Sequence, residues 1–404
     1  MKKVLFININ FRYDNSSGIT VSKLVDHLPK ENLFLLGSKA EQSNIDIFSR
    51  KYQIGKLQET AITKKVGKRY SVKKVLRNII GKKSYFNKLS LDVSIKRWLD
   101  TINPDFIYFN PDNLSTVLFA QEVASYCNAK IIIHVMDDKV SVRYPGIFGF
   151  FYKIKFRKEF SHVVKISSIR LSISELMTEE YLERYGVSFY AFHNPVDITL
   201  WKSYKKVINN YKKNNINIYY SGWIGSTSAP IFEFCEVIKN LNDIKYNITF
   251  VLYSKFSSLE IKDKIDAYCF TQINNYVPQE KLPETMNRAD LLLLPLSFEK
   301  KNKFIFLSMP TKTAEYMVSG VPIIVYAPKE TALSQYAKKD DWGHVITSNI
   351  KKDVVNSMRE LIGNVELQKK YSHNALKLAK EKHDIKINKQ RFDELLNEEN
   401  YVQK

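Results

Sequence analysis

Residues 289–325, ADLLLLPLSFEKKNKFIFLSMPTKTAEYMVSGVPIIV, decide the fold because they place a strand, a helix and a second strand in quick succession. ADLLLLPL (289–296) is an apolar run of strand length, and PIIVYA (322–327) is another. Between them, TKTAEYMVSG (311–320) has the apolar spacing of a short helix, with Pro310 expected in its first turn and Gly320 at its C-terminal stop. This order predicts parallel strands joined by a crossover helix.

The same alternation repeats on both sides of a polar, basic stretch near residue 205, which we interpret as a linker. The predicted strands cover 2–9, 105–109, 129–136, 170–174 and 188–192 before it, and 216–222, 247–254, 289–296 and 322–327 after it. We therefore predict an α/β protein with two doubly wound, Rossmann-like parallel-sheet domains that face a cleft and a C-terminal helical tail. The predicted bounds are 1–195 for the first domain, 205–380 for the second and 381–404 for the tail helix, whose return to the first domain is left open.

The composition indicates a globular protein that works on anionic partners. The chain has 404 residues, 44% of them hydrophobic, and a formal net charge of +20. Such a charge favours nucleotides, phosphorylated substrates, anionic lipid or nucleic acid. The three cysteines, Cys127, Cys235 and Cys269, show no CxxC spacing, which argues against a disulfide framework or a zinc site. We expect a cytoplasmic protein, because the sequence shows neither a signal peptide nor an apolar run of the roughly 18 residues that span a membrane.

The helix over 311–320 is the strongest candidate for a binding site. It follows a strand and a polar loop, so its N-terminus is expected at the carboxyl edge of the sheet, where such folds bind ligands. The free N–H groups and the positive dipole end of a helix N-terminus favour a phosphate. Lys312 and Glu315 lie three residues apart on one side of this helix. These features indicate a nucleotide site, with Lys312 near phosphate and Glu315 near a ribose diol; an ordinary helix with an exposed Lys–Glu pair is the alternative.

Several motifs occur in the order found in one enzyme family. HVMDD (134–138), SISELMTEEYLERYG (172–186) and HNPVDITLW (193–201) precede the segment 289–325. This ordered set resembles the GT-B glycosyltransferases of the family-4, or group 1, type. The resemblance implies metal-independent transfer of a sugar from a nucleotide-sugar donor, usually with retention of anomeric configuration, and no cofactor beyond that substrate. It also implies that Glu315 binds the nucleotide ribose.

Two departures from the family pattern leave the diphosphate contacts open. A second Glu that family members often carry eight residues before Glu315 is Leu307 here. The Arg and Lys that often follow the first strand of the second domain are replaced by Trp223 and Ser228. The phosphate charge would then be met by other groups, which are Lys312, Lys301 or Lys303 in the loop, or the backbone of 222–226.

The complete set of candidate donor contacts combines the helix, the loop after the strand 216–222 and one glycine of the first domain. It comprises Glu315, Lys312, Thr311, Gly222, Trp223, Gly225, Ser226 and Gly18. Gly18 lies in the first strand-to-helix turn, where a glycine lets the backbone approach a ligand, and a plain turn glycine is the alternative.

The candidate catalytic residues follow the predicted strand 129–136. Asp137 and Asp138 are expected to emerge at its carboxyl end, where a carboxylate could hold an acceptor hydroxyl or accept its proton. A turn or a helix N-cap is the alternative role for either aspartate. His134 is the third candidate, with a satisfied core histidine as its alternative. Asn110 and Asp112 have a similar position after the strand 105–109.

Two basic segments favour a membrane surface as a partner of the first domain. YSVKKVLRNIIGKK (70–83) has an apolar helical face with basic residues around it, and FGFFYKIKFRKEF (148–160) interleaves aromatic and basic residues. This pattern is typical of helices at the surface of anionic lipid, and a basic helix packed on the domain is the alternative. Nucleic acid is not favoured, because no recognised binding motif is present.

The predicted function is transfer of a sugar from a nucleotide sugar to a hydroxyl of a lipid-linked glycan, in bacterial-type surface polysaccharide biosynthesis. The predicted location is the cytoplasm, with the inner face of the cell membrane as an open alternative. Two other functions stay open at this stage, a nucleotide-sugar 2-epimerase and a non-catalytic GT-B protein that binds a glycan or a partner.

Overall fold

A computed structural model of the protein describes residues 2–12, 15–38, 40–54, 88–204, 215–225, 228–299 and 304–398. They form two compact units. The N-terminal unit comprises the described residues of Met1–Phe192, Lys303–Ser308 and Lys389–Lys404, and the C-terminal unit those of His193–Asn302 and Met309–Asn388. The segment 70–83 and the residues Ser226, Lys301 and Lys303, which carry predictions above, lie outside the described residues.

The described residues of the N-terminal unit form a seven-stranded parallel sheet. In spatial order its strands are β3 (Arg50–Gln53), β2 (Leu33–Gly37), β1 (Val4–Ile7), β4 (Phe106–Phe109), β5 (Lys130–Val135), β6 (Ile169–Ser172) and β7 (Tyr190–Ala191). The chain order reverses between β1 and β4. In a doubly wound sheet, the carboxyl ends of the two strands at such a reversal mark the usual place for a ligand.

The described residues of the C-terminal unit form a six-stranded sheet that is also parallel throughout. Its strands, in spatial order, are β10 (Thr271–Asn274), β9 (Asn247–Phe256), β8 (Asn215–Ile224), β11 (Leu291–Pro295), β12 (Ile323–Tyr326) and β13 (His344–Ile346). Here the reversal falls between β8 and β11, so the carboxyl ends of these strands mark the equivalent place.

Helices occupy the connections between the strands. In chain order they are α1 (Ser16–Val25), α2 (Val93–Ile102), α3 (Leu114–Cys127), α4 (Gly146–Ile166), α5 (Glu175–Tyr185), α6 (Ile198–Trp201), α7 (Ala229–Ile244), α8 (Leu259–Asp266), α9 (Leu282–Asn287), α10 (Lys312–Ser319), α11 (Ala332–Lys339), α12 (Lys351–Gly363), α13 (Val365–Leu378) and α14 (Ile385–Asn397). None of the described helices is both long and apolar enough to cross a membrane.

The two strands at the reversal of the N-terminal sheet are buried along their whole length, as expected for strands covered by helices on both faces. All four residues of β1 and of β4 are buried. The last helix, α14, contributes to the core of the N-terminal unit, because Phe392, Leu395 and Leu396 belong to the hydrophobic cluster that contains Val4 and Phe6.

The structure confirms the predicted fold class of two Rossmann-like parallel-sheet domains with helices. One local prediction is wrong. Helix α10 begins at Lys312, so Pro310 precedes the N-cap residue Thr311 instead of lying in the first turn. The Pro310 carbonyl accepts a hydrogen bond of 3.0 Å from the Thr313 N–H, which places the proline in the turn that leads into the helix. Gly320 ends the helix with a φ of 73°, as predicted.

Candidate functional site

The candidate donor site lies at the carboxyl ends of β8 and β11 in the C-terminal unit. These two strands are hydrogen-bonded neighbours, and the chain leaves β11 towards helix α10. Tyr316 of α10 fixes this helix against β8, because its buried hydroxyl accepts a 2.8 Å hydrogen bond from the Ser221 N–H. The first turn of α10 is thereby held beside the end of β8.

Lys312 in that first turn reaches the end of β8. Its Nζ lies 4.4 Å from the centre of the Tyr220 ring and 3.3 Å from the Tyr220 hydroxyl, which itself donates to the Trp223 carbonyl at 3.2 Å. An ammonium group over a tyrosine ring is held by the negative face of the ring without losing its charge. The structure therefore fixes a cation at the place where the fold class binds ligands.

Gly222 makes room for this lysine. Its φ of 151° is one that side chains rarely adopt, and a Cβ built there would lie 1.7 Å from Lys312 Nζ. The backbone of β8 and the ammonium group can therefore approach each other only because residue 222 is a glycine. A phosphate beside Lys312 would face this exposed stretch of backbone.

Thr311 and Glu315 complete the first turn of α10. Thr311 is the N-cap residue, and within the described chain no side chain caps the helix. Helix N–H groups that lack a side-chain cap, together with the dipole, attract an anion. Glu315 lies one turn further on, partly exposed, with its Oε1 3.5 Å from Gln279 Nε2. A carboxylate there can accept hydrogen bonds from a diol.

The end of β8 and the loop that follows it carry the remaining donor candidates. Trp223 is exposed, and its ring lies over Gly225, where an added Cβ would come within 1.8 Å of the ring. Ser228 is the N-cap residue of α7 and makes no side-chain capping bond within the described residues. The replacement of the family's Arg and Lys therefore leaves an aromatic surface and a hydroxyl here, while Lys312 supplies the nearby positive charge.

In the N-terminal unit, Asp137 follows β5 and remains partly exposed. Its Oδ1 accepts a 2.6 Å hydrogen bond from Ser308 Oγ, and its Oδ2 pairs with Lys139 Nζ at 2.8 Å. Desolvation raises the pKa of the nearby Asp112 to about 6 although part of that side chain reaches solvent; Asp137 raises it further and Lys139 lowers it. The strands β4 and β5 thus bring two carboxylates and one ammonium group into electrostatic contact.

Asp138 has a different environment from its neighbour, because its side chain is only 2% exposed. Oδ1 accepts from the Tyr181 hydroxyl at 2.9 Å, while Oδ2 accepts from Ser141 Oγ at 2.5 Å and from Arg184 at 2.9 Å. Both oxygens are therefore occupied by groups of the protein. This placement favours a structural role for Asp138 over contact with an acceptor.

His134 is 1% exposed within the sheet. Its Nδ1 lies 2.5 Å from the hydroxyl of Tyr108 on the neighbouring strand β4. Burial lowers the pKa of His134 to about 3, so the ring is neutral and Nδ1 shares a hydrogen bond with the tyrosine hydroxyl. This geometry corresponds to the alternative of a core histidine.

Gly18 lies inside α1 and not in the turn before it. A Cβ on Gly18 would come within 2.1 Å of the Asn10 carbonyl oxygen, so the glycine permits α1 to pack on the chain that follows β1. Asn110 at the end of β4 is buried, and its Nδ2 lies 3.7 Å from Met136 Sδ. Both residues belong to the N-terminal unit, whereas the donor candidates other than Gly18 belong to the C-terminal unit.

The partners of the candidate residues are not indicated by the sequence patterns. Tyr220 and Gln279 contact Lys312 and Glu315, and Ser308 and Lys139 bind Asp137. Only Lys139 carried a usable signal, since it lies two residues from Asp137. Among the described residues, no group of three His, Cys, Asp or Glu side chains has the arrangement of a metal site.

The architecture is similar to that of several solved structures, one of which was determined in complex with a nucleotide sugar. HepE from Anabaena in complex with UDP-glucose is similar with a TM-score of 0.66 and 12% identity, covering 98% of this chain and 99% of that one. Sucrose-phosphate synthase from Thermosynechococcus elongatus has a TM-score of 0.68 and 10% identity, covering 98% of both chains. A UDP-N-acetylglucosamine 2-epimerase has a TM-score of 0.57 and 12% identity, covering 100% of this chain and 98% of that one.

At these identities the likeness establishes the fold, which is the GT-B fold of glycosyltransferases. No protein-family model and no curated protein sequence matches this chain. The assignment to the family-4 type consequently stays a prediction from the sequence motifs.

Proposed function

We propose that this protein is a glycosyltransferase that moves a sugar from a nucleotide-sugar donor to a hydroxyl group of an acceptor. One observation carries the proposal: the ammonium group of Lys312 is held over Tyr220 and against Gly222, at the carboxyl end of the strand where the sheet order reverses. A fixed cation beside an uncapped helix N-terminus is an arrangement suited to a diphosphate. The fold shared with HepE and sucrose-phosphate synthase supports the same reading.

The C-terminal unit would bind the donor. The diphosphate would rest on the N-terminus of α10 and on Lys312, and Glu315 would accept hydrogen bonds from the ribose hydroxyls. When the bond between the anomeric carbon and the diphosphate breaks, negative charge grows on the leaving oxygen, and the helix and Lys312 would stabilise it without a metal ion. UDP is the first nucleotide to test, because HepE was solved with UDP-glucose.

The N-terminal unit would supply the acceptor contacts. Asp137 is the candidate that the geometry supports best, since its carboxylate is partly exposed and, within the part of the chain that the structure describes, Oδ1 has one bond to Ser308 and Oδ2 one to Lys139, while each oxygen has two lone pairs. It could hold the acceptor hydroxyl or accept its proton. In accordance with the motifs and the basic charge, we propose retention of configuration and a lipid-linked glycan of a surface polysaccharide as the acceptor.

The donor site is tested by binding UDP and uridine to the Lys312→Gln protein. If Lys312 contacts the diphosphate, UDP binding weakens by roughly tenfold, as expected for a lost charge-assisted hydrogen bond of about 1.5 kcal/mol, while uridine binding stays unchanged. Lys264→Gln is the matched control, because Lys264 is an exposed lysine of this unit that pairs with Glu260 on its own helix, α8. Equal UDP affinity in both variants would contradict the assignment of Lys312.

A nucleotide-sugar 2-epimerase is the second candidate function, favoured by the likeness to the UDP-N-acetylglucosamine 2-epimerase. The two activities differ in their need for an acceptor. Turnover of a nucleotide sugar to its C2 epimer without an acceptor would establish the epimerase, whereas sugar transfer that depends on an added glycan would exclude it as the main activity. Nucleotide binding without either reaction would favour a non-catalytic GT-B protein.

A further inference from the structure

Helix α4 is apolar on two opposite faces. Tyr152, Phe156, Phe160 and Val163 form the inner face and are buried. On the other face, four large apolar side chains of the first two turns remain more than half exposed: Ile147 by 57%, Phe150 by 61%, Phe151 by 57% and Ile154 by 52%. They recur at the spacing of one helical stripe. A soluble protein rarely exposes such a continuous apolar patch unless it binds something.

The patch is rigidly presented. Gly149 allows the turn before the helix to pack closely, since a Cβ there would lie 2.5 Å from the Tyr144 carbonyl oxygen. The Tyr144 and Tyr152 rings are in contact at 4.6 Å, and the Tyr152 hydroxyl accepts a 3.0 Å bond from the Leu114 N–H. Phe150 and Phe151 contact each other edge to face, with ring centres 5.6 Å apart. Tight packing at this end of α4 therefore holds the patch outward.

Basic side chains lie along and beside this exposed stripe in the second half of the helix, where Lys158 and Lys165 continue it at helical spacing and Lys155 and Arg157 flank it on its two sides. Lys155, Arg157, Lys158 and Lys165 are exposed there, and the whole of α4 carries five basic residues and one acidic residue. An apolar patch beside a row of cations matches the acyl chains and the phosphates of an anionic bilayer surface. A second copy of this chain fits less well, because two such helices would bring two basic rows together.

We propose that this face of α4 docks the protein on an anionic lipid bilayer. The side chains of Ile147, Phe150, Phe151 and Ile154 enter the boundary between headgroups and acyl chains, and the basic row rests on lipid phosphates. The start of α4 follows Asp137 by nine residues, at the carboxyl edge of the sheet of the N-terminal unit. Docking would place this edge, and with it Asp137, near the membrane that holds a lipid-linked acceptor. Only this link between docking and the acceptor rests on the proposed function.

The test is cosedimentation of the full-length protein with vesicles of phosphatidylcholine alone or with about 30% phosphatidylglycerol. Wild type binds the anionic vesicles, and raising the salt from 0.1 to 1 M weakens binding as the Debye length falls from about 10 to about 3 Å. The Phe150→Ser/Phe151→Ser protein binds at least tenfold more weakly. The Lys155→Gln/Arg157→Gln/Lys158→Gln protein binds roughly a hundredfold more weakly, at about fivefold for each charge.

Leu259→Ser/Ile350→Ser is the matched control, since both residues are exposed apolar side chains of the C-terminal unit, and it binds like wild type. Stabilisation by UDP is measured for each variant, so that a failure of the donor site is separated from a failure of docking. Unchanged vesicle binding by both α4 variants would overturn the proposal. The proposal would also be overturned if the wild-type protein did not bind the vesicles and formed a dimer that Phe150→Ser/Phe151→Ser abolished. The patch would then be an interface between copies of the chain.

Discussion

Replacing Asp138 or its neighbour Asp137 by asparagine should separate stability from activity. The Asp138 carboxylate is buried and accepts hydrogen bonds from Tyr181, Ser141 and Arg184. In Asp138→Asn the charge that faces Arg184 is lost, and the new amide nitrogen must face a group that donates. Because a hydrogen bond to a charged group contributes about 1.5–3 kcal/mol, we expect the free energy of unfolding to fall by about 2–3 kcal/mol.

The loss should appear in the unfolding of the N-terminal unit. At roughly 2–4 °C for each kcal/mol in a unit of about 200 residues, the transition shifts down by about 5–10 °C in differential scanning calorimetry. Asp137→Asn should cost less than about 1 kcal/mol, because its side chain is 37% exposed and its bond to Lys139 is a surface ion pair. The expected change in Asp137→Asn is a loss of sugar transfer with unfolding near that of wild type.

The opposite result would refute this assignment. If Asp138→Asn unfolds like wild type but loses sugar transfer, the hydrogen bonds of Asp138 do not stabilise the fold, and the residue takes part in the reaction. The Ser141→Ala protein is the matched control, because it removes one donor of the same network and leaves the carboxylate in place. It should lose part of the stability and keep its transfer activity once folded.

Two further predictions concern buried groups. His134 has its pKa lowered to about 3 in the fold, so the stability it confers is present above its ordinary pKa of 6.5 and is lost as the pH falls from there towards 3. The free energy of unfolding should therefore be about 2 kcal/mol lower at pH 5 than at pH 7.5, and the His134→Gln protein should lack this difference. The same decrease in both proteins would contradict the lowered pKa of His134. Gly222→Ala should displace Lys312 and weaken UDP binding. Gly186→Ala is the control, because this glycine has a φ of 71° with open space around it, and its substitution should lower only the stability. Equal UDP binding by the two variants would exclude the displacement of Lys312.

The fold could be predicted because apolar strands such as β1, β4, β11 and β12 alternate with helical patterns along the chain. The strands at or near the sheet edges could not. RKYQ in β3 and TQIN in β10 mix polar and partly exposed side chains, so they lack the period that marks a strand. Leu33–Gly37 of β2 is fully buried but only five residues long, and a short apolar run does not distinguish a strand from a helix.

The candidate site shows the same limit at the level of side chains. Lys312 and Glu315 could be paired from the sequence because helical spacing is local. Tyr220, which holds Lys312, lies 92 residues away, and two of the partners of Asp138, Tyr181 and Arg184, lie 43 and 46 residues away. Such contacts depend on which strands become neighbours, and no period in the sequence records them. This is why two adjacent aspartates with the same predicted role have different environments in the structure.

The most direct test of the donor site is thermal stabilisation by UDP, GDP, dTDP and CMP, in the wild-type and Glu315→Ala proteins. Glu366→Ala on α13 is the control, as an exposed glutamate that pairs with a lysine of its own helix. At 100 times its dissociation constant, the cognate nucleotide should stabilise the wild type and the control by about 2.7 kcal/mol and should lose most of this effect in Glu315→Ala. If no nucleotide stabilises the wild type, or if Glu315→Ala responds as the control does, the C-terminal unit does not bind a donor through this helix.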